Sequence, residues 1–463
     1  MEHFNNKKIA ILGFGIEGKS VIEFLKNSNA LITVIDEQRR EDFDSEVLEE
    51  YEASGISFEL GKIGDLTSFD IVFRSPGFRP DLLALQAAKE KGVEVTSATK
   101  LFFDLCPCPI IGVTGTKGKG TTSTLIYEML KKEGLDAYLG GNIGTPPLGF
   151  LSGLKPESKV VLELSSFQLM DLEKSPADAK AMAGKPHIAV MLMTTSEHLD
   201  YHEDIYEYID AKRNIFKYQN ENDFAVVNRD YPASNESDIH TIGKVYQVSR
   251  VQEIMQGCFV KDDSIYLRMD GHEESILPVK ELGLLGKHNH ENVCAAVVAA
   301  LCAGVSLRSI LSVLRSFKGL EHRIEFVRLV GGVKYFDDSF STTPETAIAA
   351  IEAFEEPKIL ILGGSSKNSD FSELGQIISE SGTIKAIIGI GEEWCRIKKR
   401  IMNHESRIKV IEGCKNIEEI VKKCTEIGEI GDVVLLSPAC ASFDMFKSYK
   451  DRGEQFKSEV NRL

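Results

Sequence analysis

Ile110-Ile111-Gly112-Val113-Thr114-Gly115-Thr116-Lys117-Gly118-Lys119-Gly120-Thr121-Thr122 is the stretch whose reading decides the fold. It opens as an apolar, strand-like run at 110–113, continues through closely spaced glycines, and leads into a helix-period pattern. A strand that feeds such a turn surrounds a concavity with backbone N–H groups, which can cradle polyphosphate. Lys119 would reach the outer phosphates, and the Thr121 hydroxyl would be available to magnesium. The spacing departs from a strict phosphate loop. Val113 stands at the fifth position before Gly118, where glycine is usual, and Gly120 follows Lys119, where a hydroxyl is usual. A glycine-rich surface turn is the bland alternative.

Outward from this loop, the same order of apolar run, glycine or polar residue, and helical pattern recurs. Strand-like segments fall at 9–12, 31–35, 71–73, 333–336, 358–362, 386–390 and 433–436. Such alternation predicts a parallel α/β architecture. With 463 residues the chain exceeds one ordinary core. Three domains are expected, at 1–107, 108–318 and 319–463, with Cys106-Pro107-Cys108-Pro109 as the first linker.

A net charge of -16 argues against nonspecific binding to nucleic acid or anionic lipid, so any anionic ligand needs local compensation. No apolar run is long enough to span a bilayer, and the N-terminus enters a strand without a cleavage site. A cytoplasmic address, with no membrane partner, is expected. Nine cysteines lack paired metal spacing, which favours reduced thiols.

Gly13-Phe14-Gly15-Ile16-Glu17-Gly18 follows the first strand, and Asp36 ends the next. Glycines there permit close approach of a pyrophosphate, and the acid can accept from a ribose hydroxyl. Taken alone, this pattern fits a nicotinamide oxidoreductase or a purely structural turn. Ser75-Pro76-Gly77 forms a second tight turn at a strand's C-terminal end. Glu163 ends the apolar run 160–162 and comes within reach of the phosphate loop if the two strands are neighbours, as a magnesium carboxylate requires. His198, in Glu197-His198-Leu199-Asp200, is a weaker candidate. By spacing alone, Lys212 reads as a solvated helix lysine.

These segments resemble the Mur ligases, and within them the branch that adds D-glutamate. The likeness rests on 112–122, GGNIGTPP at 140–147, ELSSFQL at 163–169, EHLD at 197–200, DAKRNIF at 210–216, GKHNHENV at 286–293, GLEHRIEF at 319–326, DDS at 337–339, ILGGSSKNSDFSEL at 361–374 and the stretch 435–456. The resemblance implies an N-terminal Rossmann-like domain for a UDP-sugar, a central P-loop ATPase-like domain and a C-terminal Rossmann-like domain that brings the amino acid. It implies an ATP-dependent ligase that joins D-glutamate to UDP-N-acetylmuramoyl-L-alanine through an acyl phosphate in peptidoglycan precursor synthesis. A monomer is expected.

By this likeness Gly15, Ile16 and Asp36 receive the uridine nucleotide instead of NAD, with Ser75 and Gly77 near its diphosphate. Asn142 meets the sugar-peptide. Gly115, Thr116, Lys117, Gly118, Lys119, Gly120, Thr121 and Thr122 hold ATP, together with Asn289, Asn292, Arg323 and Asp338. Thr121, Glu163 and His198 match ligands of two Mg2+ ions, and Lys212 matches a lysine carried as a carbamate. Lys119, His198 and Lys212 are the catalytic candidates. Thr342, Lys367, Ser442 and Tyr449 match residues that grip glutamate. One segment departs: the family's Asp-Ser-Lys-Ala-Thr-Asn is Asp338-Ser339-Phe340-Ser341-Thr342-Thr343 here. That change beside the amino-acid pocket keeps an L-glutamate-adding branch open as an alternative. Folylpolyglutamate synthases share the two later domains but lack the N-terminal one.

Overall fold

The computed structural model describes residues 2–173, 184–198, 200–366, 368–402 and 408–463. It contains three sheets and two compact units, Met1–Lys280 with Glu291–Val313, and Glu281–His290 with Leu314–Leu463. Each of the eight strand-like segments read from the sequence lies in a strand. The expected α/β class is therefore present, carried on three sheets among the described residues.

In the first unit, a five-stranded parallel sheet runs Ser57–Leu60, Leu31–Asp36, Lys8–Leu12, Ile71–Arg74, Glu94–Thr96. Its order reverses beside Lys8–Leu12, so the 13–18 and 75–77 turns emerge next to each other at the point where open α/β sheets bind ligands. The two turns touch: Ser75 N donates to Leu12 O at 3.0 Å, and a Cβ on Gly13 (φ +100°) would lie 2.8 Å from Ser75 Oγ. Glycine is required there by both conformation and space.

A nine-stranded sheet completes this unit. Ile110–Thr114 lies at its heart, between Ile188–Met191 and Lys159–Glu163. All five of its residues are buried, as expected for a parallel strand covered on both faces. The register sets Val113 beside Glu163, so the strand neighbourhood on which the acid's role depended is present. At the far edge the all-parallel expectation fails: Gly257–Lys261, Ser264–Met269 and His272–Pro278 form an antiparallel ribbon. Its turns, Asp262-Asp263 and Asp270-Gly271, have all four residues at positive φ, which matches the twist of tight hairpins.

The second unit holds a six-stranded sheet, Glu325–Val330, Val333–Asp337, Val433–Leu436, Lys358–Gly363, Ile384–Ile390, Lys409–Ile411, antiparallel only at its first pair. Alternate residues of one strand feed two cores, with Leu360 and Leu362 on one face and Ile359 and Ile361 on the other. Among the described residues, no helix is long and apolar enough to cross a membrane.

Candidate active site

Gly115 (φ +150°) and Gly118 (φ +87°) turn the chain from Ile110–Thr114 into the helix Lys119–Glu133. Gly118 is the N-cap, so the first N–H groups of a 15-residue helix face the loop, where the positive end of the helix dipole favours an anion. Thr116 anchors the loop from below: its N–H donates to Met193 O at 2.7 Å, its hydroxyl to Thr195 O at 3.0 Å, and the Tyr208 hydroxyl lies 2.9 Å away. Lys119 Nζ folds back onto the carbonyls of Gly115 and Thr116, both at 2.9 Å. Lys117 pairs with Glu197 at 2.6 Å. Thr121 and Thr122 are buried in the first helical turns. Asn292 comes so close that a Cβ on Gly118 would lie 2.1 Å from its Oδ1. Asn289 sits one turn earlier on the helix His288–Cys302, with its amide on Leu285 O.

Lys212 overturns the reading made from spacing alone. It is 2% exposed and donates to Gly115 O at 2.9 Å, the same carbonyl that Lys119 uses. Its amine also lies 4.6 Å from the Tyr208 ring centroid. Burial pushes its pKa well down and the nearby Lys119 charge adds to this, against the pull of Glu197 and Glu163. Both effects work against the protonated amine. The signal missed in sequence was tertiary, since the helix Ile205–Arg213 turns this face inward.

His198 takes a left-handed conformation (φ +58°) and packs against Phe167, with ring centroids 5.0 Å apart. Burial lowers its pKa despite Glu197 and Asp200. Asn142 follows the strand Ala137–Gly141, and its N–H bonds to Glu163 O at 3.0 Å. Thr121 and Glu163 carry oxygen donors of the kind magnesium takes, whereas the imidazole of His198 is a softer ligand type.

At the nucleotide-like loop, Asp36 accepts from Phe14 N at 2.9 Å and Gln38 N at 3.0 Å, so it holds the turn in shape. Gly15, Ile16 and Gly77 are exposed there. Glu17 went unremarked in the sequence. Burial raises its pKa to about 7, the Gln168 hydrogen bond opposes that, and Asp171 adds to it. Arg74 was missed as well. It is 2% exposed and pairs with Asp171 at 2.7 Å, and the only sequence signal was an arginine ending an apolar strand.

In the second unit the Arg323 guanidinium stacks 3.8 Å from the Phe340 ring centroid, and Phe340 meets Tyr449 edge-on at 4.8 Å. Asp338 accepts from Ser437 Oγ at 2.6 Å and Ile324 N at 3.2 Å, while burial raises its pKa to about 7. Ser442 is buried and Thr342 half-buried. Lys367 lies outside the described residues. Among the described residues, His322, Glu325 and Asp337 form a group with metal-type ligand atoms within 4.8 Å of one another. His322 Nδ1 is 2.7 Å from Asp337 Oδ2, and Asp337 Oδ1 accepts from Ser339 N, so these atoms already brace the chain.

A helix-capped phosphate loop, an acid on the adjoining strand and a buried lysine at one carbonyl define the class, a phosphate-loop α/β protein. The chain belongs to the Mur ligase family. It matches the MurD-like N-terminal domain of Mur ligases over residues 7–97, the Mur ligase middle domain over 113–300, and the Mur ligase glutamate ligase domain over 322–440. It is 39% identical to the UDP-N-acetylmuramoylalanine--D-glutamate ligase of Clostridium tetani, covering 99% of this chain and 97% of that one. It is 40% identical to the ligase of the same name from Acetivibrio thermocellus, with the same coverage. Among solved structures, the MurF ligase from Thermotoga maritima in complex with ADP shares the fold at a TM-score of 0.58 and 18% identity, over 100% of this chain and 96% of that one. MurF from Acinetobacter baumannii does so at 0.62 and 15%, over 93% and 91%. The family is ATP-dependent.

Proposed function

We propose that the chain joins D-glutamate to UDP-N-acetylmuramoyl-L-alanine with the conversion of ATP to ADP and phosphate, in the cytoplasm, as a step of peptidoglycan precursor synthesis. The observation that carries this reading is the meeting of Lys119 and Lys212 at the Gly115 carbonyl, beside Glu163, in a chain matched along nearly its whole length by D-glutamate ligases. We assign the domains to 1–107, 108–318 and 319–463.

The acceptor's terminal carboxylate attacks the γ-phosphorus of ATP, and ADP leaves. The glutamate amine then attacks the acyl carbon of the resulting acyl phosphate, loses a proton and expels phosphate. Loop N–H groups and Lys119 hold the polyphosphate and offset the charge gathered in the first step. Thr121, Glu163 and His198 would hold magnesium, which neutralises phosphate charge when bound. An uncharged Lys212 amine would add to carbon dioxide, releasing a proton, to form a carbamate, an anion that would help hold magnesium beside Glu163. Asn142, next to Glu163, would meet the acceptor, and Asp36, Ser75 and Gly77 its nucleotide. Arg323 and Asp338 would meet ATP. Thr342, Lys367, Ser442 and Tyr449 would meet glutamate. Holding reactants in line is worth about 7–11 kcal/mol in favourable cases.

The folylpolyglutamate reading has no use for the matched segment 7–97, and the nicotinamide reading leaves the 112–122 loop without a role. The test is ADP formation by the purified chain with magnesium, ATP, UDP-N-acetylmuramoyl-L-alanine and either enantiomer of glutamate. Turnover that requires the D enantiomer supports the proposal. Turnover with L-glutamate alone, or none with either, defeats it.

A further inference from the structure

Two arginines flank the 75–77 turn, and both reach into the segment that carries His198 and Lys212. Arg74 donates to Phe167 O at 3.0 Å, to the Tyr201 hydroxyl at 3.2 Å and to Phe78 O. Tyr201 returns the contact, since its hydroxyl donates to Pro76 O at 2.9 Å and Phe78 O at 3.0 Å. Arg79 donates to Tyr201 O and, with both terminal nitrogens, to the Glu207 carboxylate at 3.2 and 3.1 Å. Asp81 clamps its other edge with two bonds of 2.9 Å.

What Glu207 and Tyr201 touch gives these contacts their meaning. Glu207 lies on the helix Ile205–Arg213, next to Tyr208, whose hydroxyl meets Thr116 of the phosphate loop and whose ring underlies the Lys212 amine. Its carboxylate also accepts from Glu203 N at 2.7 Å and faces His202 Nδ1 at 3.3 Å. The Tyr201 ring lies 4.1 Å from Phe167, which in turn packs on His198. Separately, Gln168 beside Phe167 donates to Glu17 of the 13–18 turn at 2.6 Å. Both turns of the nucleotide-like site are thus bonded to the segments that position the candidate metal and carbamate residues.

We infer that Arg79 is a positioning residue: through Glu207 and Tyr201 it couples occupancy of the 75–77 turn by a nucleoside diphosphate to the geometry of the phosphate-loop site. The inference rests on the functional reading above. A bidentate arginine–carboxylate pair fixes both distance and plane, so a small shift of the turn is passed to the lysine helix instead of being absorbed. Coupling between sites is reciprocal by thermodynamic necessity.

The test measures the affinity of the full chain for magnesium adenylyl-imidodiphosphate with and without saturating UDP, and the reverse, in wild type, Arg79→Ala, Arg79→Lys and Glu207→Gln. In wild type, UDP should tighten the analogue at least about fivefold, the lower end of ordinary coupling, and the analogue should tighten UDP by the same factor. In Arg79→Ala and Glu207→Gln the factor should fall to about one while each ligand measured alone stays within about twofold, and Arg79→Lys should retain part. Should Arg79→Ala not fold, the near-isosteric Glu207→Gln decides. Absent coupling in wild type, or undiminished coupling in both variants, overturns the inference. Weakening of each ligand alone also overturns it, because that marks a merely structural role. Failure of wild type to bind either nucleotide overturns the functional reading beneath it.

Discussion

Replacing Lys212 with alanine separates its chemical role from its packing. The side chain is 2% exposed and its amine bonds to Gly115 O, so the substitution removes three buried methylenes and one hydrogen bond. At about 0.8 kcal/mol per methylene and about 1 kcal/mol for the bond, the variant loses about 3 kcal/mol of stability. Losing one preorganised charge-stabilising group costs about 10²–10³-fold in turnover, and that is the loss expected here. The two deficits respond differently to added formate or acetate. A small carboxylate entering the vacated channel restores negative charge, so turnover recovers in part while the melting temperature stays low. The assay is ADP release against carboxylate concentration, with formamide as the neutral control, beside a thermal melt. In wild type, carbamate formation needs the uncharged amine, so activity in limiting bicarbonate rises with pH through the lowered lysine value, below 10.5. An alanine variant with unimpaired turnover, or equal rescue by formamide, would refute the reasoning.

Lys119→Ala should reduce ADP formation by at least about 10³-fold while leaving UDP affinity near wild type, and normal turnover would remove the phosphate-loop assignment. Gly118→Ala sets a Cβ at φ +87° and 2.1 Å from Asn292 Oδ1; the left-handed conformation alone costs about 1–2 kcal/mol, and the KM for ATP should rise about tenfold or more. Glu17→Gln tests a pH effect. Between 4.5 and about 7 the folded chain keeps a proton that the unfolded chain has released, so wild-type stability falls as pH rises through that window. The variant lacks this slope, and its melting temperature should gain on wild type from pH 5 to pH 8; parallel curves would contradict the assignment.

The parallel strands were legible because each is an apolar run ended by glycine or a polar residue. The phosphate loop was legible because glycines at 115 and 118 are demanded by positive φ. The ribbon from Gly257 to Pro278 was passed over although Asp270-Gly271 is a strong hairpin signal, since its short strands alternate only weakly. Lys212 shows the limit of periodicity. A lysine in a polar helix reads as solvated until the sheet that covers it is known, and only resemblance to a family flagged it. Arg74, Arg79 and Tyr201 were illegible for a related reason: the contacts that tie them to Phe167, Tyr201 and Glu207 span 93 to 128 residues, and neither spacing nor composition carries such distances.

Transfer of oxygen from acceptor to phosphate tests the central claim most directly. With UDP-N-acetylmuramoyl-L-alanine labelled with oxygen-18 in its terminal carboxylate, activation by ATP predicts one labelled oxygen in each inorganic phosphate released, because the attacking carboxylate oxygen departs with phosphorus. Phosphate that carries no label while the amide product accumulates would contradict the account.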